Sequence, residues 1–182
     1  MQSLETGVNS EVVLLPSTPA DIEAVRKRCK AMVTRRALAS AGASMVPIPG
    51  LDLAADVGLL LELIPQINRA FGLTQEQIES LNPRNRIVVY QAVVALGGAM
   101  IGRIITRDLV LQALKAVGVR ITSKQAVKYV PIAGQALSAA LGFAAMRFVG
   151  LRHVDDCVRV VRHVIEEENQ ARRVYPTAER VG

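Results

Sequence analysis

Residue types able to do chemistry fall in two short stretches of this 182-residue chain. Asp52 and Asp56 stand four apart, so a helix would put both carboxylates on one face. Such a pair could bind a metal or relay a proton, and within a bilayer it would mark a functional site. The simpler role is structural. Both follow Gly50 at the start of an apolar helix, where the dipole favours negative charge and Arg35 or Arg36 could pair with them. The second stretch holds His153, Asp156, Cys157 and His163. At about 100° per residue, Cys157 falls to one side of His153, with Asp156 and His163 to the other, so a zinc site is not expected. No Ser or Cys sits in a G-x-S-x-G turn, and no motif assigns either histidine as a base. The expectation is a non-enzymatic chain without a cofactor.

The elements that would position these residues are all helical. Thr18 caps, Pro19 suits a first helical position, and Asp21 favours the dipole; Ile22, Val25, Cys29 and Met32 then form an apolar stripe. This helix must break at Pro47-Ile48-Pro49-Gly50. A second helix is expected from Leu51 to about Ala70, with a kink at Pro65. Thr74 and Gln77 form a capping box for a short helix ending near Asn82-Pro83. Further helices are expected over Arg84 to Ile105, over Arg107 to Ala116 with Gly118 as the stop, and from about Ile132 to Arg173 with an interruption near Gly150. The last carries Leu151, Val154, Val158, Val161 and Ile165 as a seam, docking on the body or on a second protomer. Asp155/Arg159 and Arg162/Glu166 are spaced to support its exposed face. No strand-like alternation is present. The reading is an all-α bundle of six to seven helices: a lead-in over 1–17, one domain over 18–173 and a tail over 174–182.

Composition agrees with a packed domain: 51% of residues are hydrophobic, which excludes disorder for most of the chain, and two cysteines are too few for a disulfide scaffold. Charge is uneven. Residues 84–152 contain ten bases and one acid, net +9, leaving the rest at −3. Another basic cluster comprises Arg26, Lys27, Arg28, Lys30, Arg35 and Arg36. Basic patches seek nucleic acid or anionic lipid, or are simply solvated. Single-strand binders interleave aromatics, whereas this chain has three Phe, three Tyr and no Trp. Residues 114–130 faintly suggest a helix-turn-helix, with Ser123, Lys124 and Gln125 as readers, but that helix would end too soon at Pro131. Nucleic acid is therefore not the expected partner. No basic start precedes an apolar run in Met1–Leu15, so a cytoplasmic start is the default.

The chain also repeats itself. Val46-Pro-Ile-Pro-Gly50 is echoed by Val130-Pro-Ile-Ala-Gly134, which suggests two helix–corner–helix hairpins about a pseudo-two-fold, with Pro47, Pro49, Gly50, Pro131 and Gly134 as corners. The first corner, with Asp52, Asp56 and Phe71-Gly72-Leu73, resembles the helical domain of immunity-related GTPases. With the second corner it also resembles the membrane-associated helical domain of bacterial YcjF-like proteins. The resemblance covers roughly 20–165 and implies a helical module at or in a membrane, acting with a separate GTPase. GTP hydrolysis is not carried over, because no G-x-x-x-x-G-K-[ST] cradle for phosphates exists.

Two uncharged runs bear on membrane entry: Ile87–Gly102, 16 residues, and Tyr129–Met146, 18 residues. The first would span roughly 24 Å as a helix, short of the ~30 Å hydrocarbon core. The second barely suffices and contains Pro131. Gly98 and Gly102, then Ser138 and Gly142, are spaced as small residues that let helices approach. The leading expectation is a module on the cytoplasmic face of a membrane, its apolar hairpins shallow, re-entrant or spanning, with Arg103, Arg107, Lys124, Lys128 and Arg147 on anionic headgroups. The competing expectation is a soluble interaction or dimerisation protein that buries these helices in its own core.

Overall fold

The computed structural model describes residues 15–43, 51–116 and 131–174, with no account of the side chains of 40–43, 51–56, 116, 131–139 and 141. The corner at Pro47, Pro49 and Gly50, and Lys124 and Lys128, lie outside the described residues. So do the carboxylates of Asp52 and Asp56.

The described residues form an all-α fold of six helices with no strand among them: α1 Pro19–Ala43, α2 Leu51–Ala70, α3 Gln75–Ser80, α4 Pro83–Leu96, α5 Arg107–Ala116 and α6 Pro131–Val174. Local chemistry accounts for most boundaries. At the start of α1, the Thr18 hydroxyl accepts from the Asp21 amide at 3.1 Å, and the Asp21 carboxylate accepts from the Thr18 amide at 3.1 Å. Each side chain thus satisfies a donor that the first turn leaves open. Thr74 and Gln77 form the same reciprocal box on α3. Gly72, at φ 72°, turns the chain out of α2 and lets Phe71 and Leu73 enter the core. Asn82 accepts from the Asn85 amide, and Pro83 opens α4.

Helix α6 is the spine. It packs along α1 and also receives α4, α2 and α5. Arg162 pairs with Glu23 at 2.9 Å and Arg26 with Asp155 at 3.1 Å, so α1 and α6 run antiparallel. They pack tightly at Gly150: a Cβ there would stand 2.8 Å from Val33 Cγ1. The expected interruption of α6 is therefore absent, because this glycine serves a close crossing inside an unbroken helix of 44 residues. The seam of Val154, Val158 and Val161 is buried, flanked by half-buried Leu151 and Ile165, and it docks on the chain's own body. Buried Val149, Val160 and Val164 make the apolar face wider than that seam.

Several expectations are corrected by this arrangement. The helix expected over Arg84 to Ile105 ends at Leu96, where Gly97 takes φ 75° and its amide caps the Val93 carbonyl. The following residues fold back: the Gly102 amide donates to the Leu73 carbonyl at 3.1 Å, and buried Ile101 inserts into the core. Gly98 and Gly102 thus lie in a turn, not on a helix face, and the uncharged run Ile87–Gly102 is not one rod. The described residues contain no helix long and apolar enough to cross a membrane. Pro131 is the first residue of α6 and Gly134 lies within its first turns, while the segment leading into them lies outside the described residues. Ser138 and Gly142 share that helix, and Gly142 is half-buried. The acids and bases of α6 pair differently from the expected Asp155/Arg159 and Arg162/Glu166. Arg159 and Arg152 both meet Asp156, while Asp155 and Arg162 reach across to α1.

Candidate interaction surface

Polar side chains converge at one buried point. Asn68 of α2 donates from Nδ2 to the Met100 carbonyl at 2.9 Å, and its Oδ1 stands 2.8 Å from His153 Nε2 of α6. With the amide so oriented, His153 Nε2 carries the proton and donates to Oδ1. The Cys157 thiol lies 3.8 Å from the same oxygen and 3.7 Å from His153 Nε2. His153 Nδ1 is buried without a hydrogen-bond partner.

Burial sets the chemistry of this cluster. It lowers the His153 pKa to about 4, so the imidazole is neutral, and it holds the Cys157 thiol well above its ordinary range. Cys29, also buried, is pushed up to about 11. Thiols in this state are weak nucleophiles. Asp156 turns away toward Arg152 and Arg159, and burial raises its pKa against their pull. His163 is half-buried further along α6. Among the described residues, no three His, Cys, Asp or Glu side chains gather around a common point. The cluster ties α2, α6 and the turn after α4 together. Asn68 was missed in the sequence, although it interrupts the apolar row Leu60, Ile64 at the next helical step.

The outer surface offers a different arrangement. Arg103, Arg107 and Arg147 are exposed. Two have large exposed apolar neighbours: Ile104, 78% exposed, follows Arg103, and Phe148, 56% exposed, follows Arg147. On α4, Ile87, Tyr90 and Val94 share one outward face, with Val94 83% exposed. The turn carrying Gly102 runs beside that face, since a Cβ on Gly102 would lie 4.0 Å from Tyr90 Cε1.

The basic cluster of α1 is partly absorbed into structure. Arg26 pairs with Glu23 and Asp155, and Arg36 pairs with Glu62 at 3.0 Å. Arg28 and Arg35 are exposed and line a shallow groove of about 340 Å³ with Ala31, Met32, Arg36 and Gln66.

No family model matches the chain, nor does any curated protein or solved structure.

Proposed function

We propose that this chain is a non-enzymatic helical module that associates with an anionic membrane surface. The observation that carries the reading is the juxtaposition of exposed arginine with exposed large apolar side chains, Arg103 with Ile104 and Arg147 with Phe148. Apolar groups gain by leaving water, and guanidinium groups fork onto phosphate oxygens. A surface that offers both at once fits a lipid interface, where acyl chains and phosphates lie within a few ångströms of depth. Contact is superficial in this reading: α4 is too short to span, and Leu60, Leu63, Ile64 and Ile67 of α2 and Val154, Val158 and Val161 of α6 are buried in the core. A GTPase acting beside the module rests on the sequence resemblance alone.

The burial of the α6 seam favours a second reading, a helical interaction protein whose exposed face takes a protein partner. Flotation of the purified chain with phosphatidylglycerol-containing and pure phosphatidylcholine vesicles separates the two. The membrane reading expects co-flotation with the anionic vesicles that weakens as salt rises. Recovery of all protein at the bottom of both gradients rejects it.

A further inference from the structure

We infer that α4 lies in the plane of the membrane and docks on it through Ile87, Tyr90 and Val94, with Ile104 extending the ridge. This inference rests on the membrane reading and names the element that makes the contact.

The argument begins with the composition of α4. Val89 and Ala92 are buried and Val93 and Leu96 half-buried on the side that packs against α6. The opposite side carries Ile87, Tyr90 and Val94, exposed by 56%, 41% and 83%. A helix apolar on both sides is ordinarily covered on both sides. Here one side is open; the turn at Gly102 passes beside Tyr90, and Ile104, two residues on, is 78% exposed.

Charge chooses the occupant. From residue 80 to residue 107 the chain contains four arginines and no acid. Arg84 is exposed at the start of α4, and Arg103 and Arg107 are exposed beyond its end. The acid that reaches α4, Glu168, meets Asn85 on the side facing α6. A second copy placed on this face would bring arginine against arginine. An anionic lipid surface instead receives the apolar ridge between the acyl chains and the arginines on phosphates.

Geometry fixes the orientation. At about 1.5 Å per residue, α4 is roughly 21 Å long, short of the ~30 Å core. It cannot turn upright without leaving α6. Lying flat, it inserts one layer of side chains, with the Tyr90 ring at headgroup depth as aromatic residues prefer.

The chain has no Trp, so Tyr90→Trp supplies a single reporter. With vesicles of equal phosphatidylglycerol and phosphatidylcholine, its emission should shift to the blue and be quenched by lipids brominated on the acyl chain. The combined Ile87→Ser, Tyr90→Ser and Val94→Ser variant should bind at least tenfold more weakly, with its helix content and melting midpoint held close to those of the parent. If the parent floats while the indole emission stays unmoved and the triple variant binds equally well, α4 is not the docking element and the membrane reading survives. A parent that stays at the bottom removes both. Shielding of the indole that grows with protein concentration in lipid-free buffer assigns the face to a second copy and overturns the inference.

Discussion

Neutral, wholly buried His153 makes folding stability depend on pH. Its pKa falls to about 4 in the folded chain through desolvation, from an ordinary value of 6.5. Between those values the unfolded chain binds more protons than the native one, so stability rises with pH across that window and is level above it. Acidification from pH 6.5 toward 4 should remove on the order of 3 kcal/mol through this group. Urea titrations at stepped pH would measure it, and His153→Gln, which keeps a donor for Asn68 Oδ1, should flatten the slope. The cluster was half legible. His153 and Cys157 stand out by type, and their four-residue spacing puts them side by side. Asn68 does not stand out, because its partners come from α6 and from the turn at Met100, segments remote in sequence.

At the scale of elements, capping chemistry was readable and glycine placement was not. The Thr74/Gln77 box and the Asn82-Pro83 junction delimit α3 and α4 as their residue types require. The end of α4 was missed because Gly97-Gly98 sits inside an uninterrupted apolar run, where periodicity carries no stop signal. What ends the helix is the left-handed conformation of Gly97, reinforced when Asn68 takes the Met100 carbonyl. Gly97 has open space where a Cβ would stand, so the cost of Gly97→Ala is conformational only, about 1 kcal/mol. Gly97→Asn should recover part of it, since Asn tolerates that region. Gly102→Ala should cost more than Gly97→Ala, because its Cβ would also meet Ile78 Cδ1 at 2.9 Å. Denaturant midpoints of the three variants would give that order.

For the whole molecule, the all-α class followed from helical spacing and from the absence of strand-like alternation, and the described residues show it. Which apolar surface would be interior did not follow. The α6 seam was compatible with the body or with a second protomer, and only its burial against α1, α2 and α4 decides for the body. The face of α4 was illegible for the opposite reason: apolar residues occur on both of its sides, so no pattern distinguishes the covered side from the open one. Ion pairs expected within α6 instead staple it to α1, because the two helices are brought together by Gly150 and Val33.

Cys29 and Cys157, on the two longest helices, are both fully enclosed and both unbridged. An alkylating reagent can therefore reach either sulfur only after α1 and α6 part, which makes the pair a built-in clock for cooperative opening. Under native conditions both thiols should be modified slowly and at matching rates. Accelerated labelling of one alone would reveal that these helices separate piecemeal rather than together.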